Sequence, residues 1–81
     1  MDLRNGIVVP HLRAWRQYRL YTQSELAHRA NVSRGTVIAG EQGRRIQVIK
    51  AARLARVLGI DRQHLVFTPP PPRKPEPSSK A

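Results

Sequence analysis

Residues 22–42 read TQSELAHRANVSRGTVIAGEQ, and this segment determines the fold. Thr22 followed three residues later by Glu25 predicts a capping box, in which the hydroxyl and the carboxylate satisfy the first free amides of a helix. Asn31 tolerates the left-handed backbone of a tight turn, so we expect the helix to end there. Ser33 then predicts the N-cap of a second helix. Two helices are therefore expected to meet across only a few residues.

Three further helices are expected around this pair, because apolar residues recur at helical spacing on both sides of it. They span about residues 11–19, 48–58 and 61–67, with Gly59 as a C-terminal stop and Asp61 as an N-cap. No segment alternates like a strand, and no internal repeat is visible. The expected fold class is all-α, with five helices in one compact domain.

The 81-residue chain has room for one domain, which we expect over residues 11–67, after an N-terminal extension over residues 1–10. The remaining residues, 68–81, begin TPPPP and have Ala81 as their one aliphatic residue. Proline fixes φ and lacks a backbone donor. We therefore expect a disordered, extended, proline-rich C-terminal tail.

The chain is strongly basic, with fifteen Lys and Arg against five Asp and Glu and a formal net charge of +10. In a small domain this charge favours a polyanionic partner, and nucleic acid is the leading candidate over a membrane surface or a surface that serves solubility. Twelve of the cations are arginines, whose planar fork suits phosphate and guanine. The chain has no cysteine, no long apolar run and no signal-peptide pattern, so we expect a soluble, cytoplasmic protein.

Several motifs occur together at fixed distances: Trp15-Arg16, TQSELA from Thr22, NVSR from Asn31, Glu41-Gln42-Gly43 and LARVLGI from Leu54. From about Leu12 to Leu65 the chain resembles the phage repressor and Cro type of helix-turn-helix domain, the XRE family of lambda repressor-like domains. The resemblance implies a bacterial or phage regulator whose third helix, at about residues 33–42, lies in the major groove of double-stranded DNA. Ala27 and Val37 are then the pair at which helices two and three cross.

The resemblance also implies which side chains contact DNA. Gln23 would donate to a phosphate at the start of helix two. Arg34 heads the recognition helix and would contact either a guanine or a phosphate, while Arg44 and Arg45 would neutralise phosphates beside the following loop. The full set of expected contacts is Gln23, Ser33, Arg34, Gly35, Thr36, Ile38, Ala39, Arg44 and Arg45.

An ion pair and a departure from the family concern the inner side of the recognition helix. An arginine near the end of helix one commonly pairs with a glutamate near the end of helix three in this family, and Arg16 and Glu41 occupy those positions. Gly40 stands where the family usually has a bulky apolar residue. A glycine there leaves a gap, which we expect Trp15 or Tyr21 to fill.

Other departures concern the DNA-facing side and the end of helix one. Gly35, Ile38 and Ala39 stand at positions that usually bear polar base readers. Direct hydrogen-bond readout is therefore expected to be sparse, and apolar contact with thymine methyls is the alternative. Leu20 replaces the small residue that is common after helix one.

Two functions from different classes remain open. The first is a transcription regulator, a repressor, that binds an operator as a homodimer through Leu65, Val66 and Phe67, although these residues can instead close the monomer's own core. The second is an antitoxin-like or accessory protein that binds a protein partner through the proline-rich tail and binds DNA mainly nonspecifically. We expect no enzyme, metal site or cofactor, because no hydroxyl has a partnered base and the three histidines lack metal-ligand spacing.

Overall fold

The computed structural model describes residues 6–72. Its elements are, in chain order, β1 (Gly6–Ile7), α1 (Leu12–Tyr18), α2 (Gln23–Ala30), α3 (Arg34–Glu41), β2 (Ile46–Gln47), α4 (Val48–Leu58) and α5 (Arg62–Phe67). The prediction of five helices in one compact domain is confirmed. The first five residues of the N-terminal extension and residues 73–81 of the predicted disordered tail lie outside the described residues.

The helices α2 and α3 begin at the caps that the sequence predicts. The Thr22 amide donates to Glu25 Oε1 at 2.9 Å, and the Glu25 amide donates to Thr22 Oγ1 at 3.0 Å, so the capping box is complete. The bond from the Thr22 amide holds the pKa of the Glu25 carboxyl below its usual value. Asn31 ends α2 in the left-handed conformation, with φ 58° and ψ 45°, and the Ser33 side chain caps α3. The two helices are therefore joined by residues 31–33.

All five helices contribute to one apolar core, and α2 and α3 pack against each other within it. Ala27 and Val37, the predicted crossing pair, are 4% and 0% exposed. A small residue on one helix lets the backbone of the other approach closely. The buried apolar residues are Val9, Leu12, Trp15, Leu26, Ala27, Ala30, Val37, Ile46, Ala51, Leu54, Ala55, Leu58 and Leu65.

A short antiparallel strand pair, which the sequence did not predict, joins the N-terminal segment to the loop before α4. Gly6 lies opposite Gln47 and Ile7 lies opposite Ile46. Strands of two residues leave no alternation to detect, and their pairing depends on contact between distant segments. Val9, which the sequence assigned to the N-terminal extension, is fully buried. The described part of that extension therefore packs with the domain.

Gly40 is covered by different side chains from those that the sequence predicted. A Cβ added to Gly40 would lie 2.8 Å from Leu12 Cδ2 and 3.1 Å from Val9 Cγ2. The prediction that Trp15 or Tyr21 fills this space was wrong. The physical reason is that Leu12 of α1 and Val9 of the N-terminal segment already occupy this space.

The first residue of the predicted tail is attached to the domain. Trp15 Nε1 donates to the Thr68 carbonyl oxygen at 2.8 Å, and Trp15 is 5% exposed. A buried indole N–H needs such an acceptor. Residues 69–72 that follow adopt neither helix nor strand. Packing against the domain therefore extends one residue beyond the predicted boundary at Phe67.

Leu20 has a strained backbone, because its φ of 66° lies in the left-handed region. Its side chain is 78% exposed and contributes little to the core. A Cβ in the left-handed region costs about 1–2 kcal/mol, whereas glycine has no Cβ to clash. We expect Leu20→Gly to raise the free energy of unfolding by about 0.5–1 kcal/mol once glycine's greater chain entropy is subtracted, and the Tm by about 5 °C. Leu20→Ala, which keeps the Cβ, is the control. Identical thermal melts of the two variants would contradict this explanation.

Candidate nucleic-acid interface

The helix α3 turns one side to the core and the other to solvent. Val37 and Gly40 are buried and mark the inner side. The outer side carries four of the residues predicted to contact DNA, of which Arg34 and Gly35 are exposed and Ile38 and Ala39 are half-buried. A helix that is exposed along one side over its first turns is free to enter a groove.

Ser33 and Thr36, both predicted to contact DNA, are hydrogen-bonded to each other at the start of α3. Ser33 Oγ lies 3.0 Å from Thr36 Oγ1, and the Thr36 amide donates to Ser33 Oγ at 3.1 Å. Each hydroxyl oxygen has two lone pairs and one proton, so the pair keeps capacity for a further bond. Capping α3 is therefore compatible with a contact to a phosphate.

A surface cleft beside α3 brings together residues from three parts of the chain. The loop after α3, the strand β2 and the first turn of α4 all approach the same side of the helix. The residues that line the cleft are Ser33, Gly35, Thr36, Ala39, Arg45, Ile46, Gln47 and Lys50. The start of α3 and the loop after it, which were both predicted to contact DNA, therefore line the same cleft.

All three arginines that are predicted to contact DNA have free guanidinium groups. Arg34, Arg44 and Arg45 are exposed, and their side chains make no hydrogen bond or ion pair with another residue in the range 6–72. By contrast, the guanidinium groups of Arg19 and Arg29 lie over tyrosine rings, at 5.2 and 5.5 Å from the ring centroids. Exposed cations without a partner in the protein are groups that a phosphate backbone neutralises.

Arg16 and Glu41 form the ion pair that the resemblance implied. Arg16 Nε donates to Glu41 Oε2 at 2.5 Å and Arg16 Nη2 donates to Glu41 Oε1 at 3.2 Å, which makes the contact bidentate. The side chains are 12% and 6% exposed. Arg16 Nη1 also donates to the Tyr21 carbonyl oxygen at 2.9 Å. The pair fixes the C-terminal end of α3 against α1.

Gln23, the predicted phosphate donor, belongs to the same network. Its Nε2 donates to Glu41 Oε1 at 3.1 Å. The amide nitrogen carries two hydrogens, so one can fix the direction of the side chain while the other donates to a phosphate. Gln23 is the first residue of α2, where the positive end of the helix dipole favours an anion. Glu41 therefore holds Gln23, a residue of α2 predicted to contact DNA, as well as the end of α3.

Three polar residues near this surface were not among the predicted contacts. Gln42 is the exposed C-cap of α3, and it follows Gly35 by seven residues, which puts both on one side of the helix. Gln47 is the N-cap residue of α4 and Lys50 lies in its first turn, and both line the cleft. Helical spacing could have identified Gln42. Gln47 and Lys50 required knowledge of how α4 packs.

The three apolar residues proposed as a dimer surface differ in how far the structure buries them. Leu65 is fully buried and its carbonyl oxygen accepts the His11 amide at 3.0 Å, so the prediction that Leu65 is exposed was wrong. Its side chain closes the core of the monomer. Val66 is half-buried and Phe67 is 75% exposed. Three consecutive apolar residues do not reveal which of them a short helix turns inward.

Two short helices that are joined by residues 31–33, bury Ala27 and Val37 in one core and expose Arg34 at the start of the second helix make this a DNA-binding domain of the helix-turn-helix class. A family model described as helix-turn-helix matches residues 12–65, well over half of the chain. The chain belongs to this family of DNA-binding transcription regulators, and the resemblance to phage repressor and Cro domains is confirmed. No curated protein and no solved structure matched the chain.

Residues 6–72 contain no helix that is long and apolar enough to cross a membrane. In the same residues no group of three or more His, Cys, Asp or Glu side chains is placed to hold a metal ion.

Proposed function

We propose that the protein is a repressor that inserts α3 into the major groove of an operator. The observation that carries this proposal is the exposed Arg34 at the first position of α3, whose chain neighbours Ser33 and Gly35 line a cleft together with Arg45 and Lys50. An arginine at the N-terminal end of a groove-binding helix reaches either a guanine edge or a phosphate. Because Arg16 and Glu41 fix the other end of α3, the helix enters the groove as a rigid body.

The expected contacts divide into those that position the protein and those that read bases. Gln23, Arg44 and Arg45 supply the positioning contacts, since amide and guanidinium donors bind phosphate oxygens without reading sequence. Arg34 and the apolar side chains on the outer side of α3 are the residues that we expect to contact base edges. Because that side offers few hydrogen-bond donors, we expect thymine methyl groups to be preferred there and a guanine beside Arg34.

Selection of bound double-stranded DNA from a random pool, followed by sequencing, tests the proposal. We expect an enriched motif that the protein binds at least about a thousandfold more tightly than competitor DNA. The motif should combine a guanine with neighbouring thymines. Equal affinity for all DNA, with no enriched motif, would contradict operator recognition and would favour the accessory, protein-binding function.

A homodimer is the form in which we expect the protein to bind. One small helix-turn-helix module buries little DNA-contacting surface, and a second copy doubles it. Phe67 and the half-buried Val66 are the apolar residues of α5 left for a contact between copies. The enriched motif should then contain two related half-sites about 34 Å apart. A single half-site without a repeat would contradict this assembly.

The affinity for DNA is expected to fall steeply as the salt concentration rises, because each phosphate that a cation neutralises releases condensed counterions. Each such contact contributes about 0.9 to the slope of log K against log salt concentration. We expect Arg44→Ala combined with Arg45→Ala to reduce that slope by about 2 for each protomer. Arg56→Ala, which removes an exposed arginine near the C-terminal end of α4, is the control and should leave the slope unchanged. A slope unaffected by the double change would exclude these two arginines as phosphate contacts.

A further inference from the structure

The backbone of Gly40 is packed directly by side chains from three other segments. A Cβ added to Gly40 would lie 2.8 Å from Leu12 Cδ2, 3.1 Å from Val9 Cγ2 and 3.7 Å from Ile46 Cδ1. The first two separations are shorter than ordinary contacts between carbon atoms. The space that a side chain of α3 would occupy is therefore already filled by neighbours.

Val9 is held in this position from both sides along the chain. Before it, β1 pairs with β2 in the register Gly6 to Gln47 and Ile7 to Ile46. After it, the Leu12 amide donates to the Val9 carbonyl oxygen at 3.1 Å. The Val9 side chain is 0% exposed. Its contact with Gly40 is thus a fixed feature of the fold.

We propose that Val9 is a positioning residue for α3 in DNA binding, an inference that rests on the proposed function. Gly40 gives α3 no side chain with which to set its distance from the core, and mid-helix glycine is conformationally permissive. Val9 Cγ2 therefore sets that distance together with Leu12 Cδ2, because both lie where a Gly40 side chain would begin. The ion pair of the adjacent Glu41 holds the same end of α3 through charge, so an apolar and a polar restraint act together.

The same N-terminal segment also acts on the phosphate-binding side of the surface. The strand β1 is paired with β2, which directly follows Arg44 and Arg45 and leads into α4. A shift of the segment would therefore move two parts of the surface. It would move α3 through the contact of Val9, and it would move the loop that carries Arg44 and Arg45 through β2. In this arrangement the N-terminal segment sets the separation between the groove-binding helix and the phosphate contacts.

A double-mutant cycle between Val9 and Gly40 tests the proposal on the full chain. Val9→Ala removes both Val9 methyl groups, including Cγ2, and Gly40→Ala adds one methyl group at 2.8 Å from Leu12 Cδ2 and 3.1 Å from Val9 Cγ2. We expect each single change to weaken binding to the selected motif by about tenfold. The double change should bind within about threefold of the wild type, because the space that Val9 vacates admits the new methyl group and lets the Leu12 side chain, whose Cδ2 would lie 2.8 Å from it, turn aside. Affinities are measured well below the melting temperature of every variant.

Leu58→Val is the matched control, because it trims a fully buried side chain at the end of α4 and should leave DNA affinity unchanged. If Gly40→Ala does not fold, the proposal is tested by comparing the DNA affinity of Val9→Ala with that of Leu58→Val. Wild-type affinity in Val9→Ala, or a double variant no better than Val9→Ala, would overturn the positioning role. Failure of the wild type to enrich any DNA sequence would instead contradict the proposed function.

Discussion

We expect Glu41→Gln to lower the free energy of unfolding by about 3–5 kcal/mol and the Tm by about 15 °C or more. The carboxylate is 6% exposed, and it accepts two bonds from Arg16 and one from Gln23. A neutral amide leaves the Arg16 charge, which is 12% exposed, without its counterion. Removing one partner of a buried pair is costly because the remaining charge stays desolvated. Thermal melts followed by circular dichroism measure the change.

Two further variants separate the loss of the counterion from a general effect of removing a negative charge. Glu25→Gln changes an exposed carboxylate, and the new amide can still accept the Thr22 amide, so it should melt near the wild type. The combination of Arg16→Met with Glu41→Leu should recover much of the stability, because neither charge is then stranded. A midpoint for Glu41→Gln equal to that of Glu25→Gln would show that the pair contributes little.

The same substitution should weaken DNA binding even though Glu41 does not face the outer side of α3. The carboxylate fixes the C-terminal end of α3 and also directs the Gln23 amide. When the carboxylate is lost, both α3 and Gln23, the proposed phosphate donor, lose their orientation. Binding measured well below the melting temperature of the variant distinguishes this effect from unfolding.

The second large effect is expected for Arg34→Ala, which should weaken binding to the selected motif by about 1–3 kcal/mol, roughly 5- to 150-fold. Arg34 is exposed at the first position of α3, and its guanidinium makes no hydrogen bond or ion pair within residues 6–72. All of its N–H donors are therefore available to DNA. Because the exposed side chain makes no hydrogen bond or ion pair within the described domain, the Tm should stay near that of the wild type. Titration of labelled DNA at fixed salt measures the affinity.

The affinities for matched and mismatched DNA sites show whether Arg34 contacts a base or a phosphate. If it donates to a guanine, the variant loses affinity for the matched motif and discriminates less at that base pair. If it contacts a phosphate, affinity falls equally for both sequences and the salt slope is reduced by about 1. Arg56→Ala again serves as the control. Unchanged affinity for every sequence would show that the N-terminal end of α3 does not contact DNA.

Local sequence chemistry was sufficient to predict the elements that carry the interface. Thr22 with Glu25, Asn31 and Ser33 determine where α2 begins and ends and where α3 begins, because caps depend on residues within one turn. Gly59 marks the end of α4 for the same reason, and its φ of 74° lies in the left-handed region. The Arg16 to Glu41 pair was implied by resemblance to a family.

Features that depend on contacts between distant segments could not be predicted in this way. The burial of Val9 against Gly40 and the pairing of β1 with β2 bring the N-terminal segment against residues more than thirty positions away. No short-range pattern encodes such contacts, and the same holds for the burial of Leu65. The link from Gln23 to Glu41 likewise appears when α2 and α3 are packed together.

The contact between Trp15 and Thr68 gives this protein an intrinsic optical reporter. Trp15 is the single tryptophan of the chain, so its emission arises from one environment. The indole is 5% exposed, and its N–H is bonded to the carbonyl oxygen of the residue at which the proline-rich segment leaves the domain. Release of that segment would break the bond and admit water to the indole edge while the helices stay folded. A red shift of the emission without loss of helical ellipticity would therefore follow detachment of the C-terminal segment separately from unfolding.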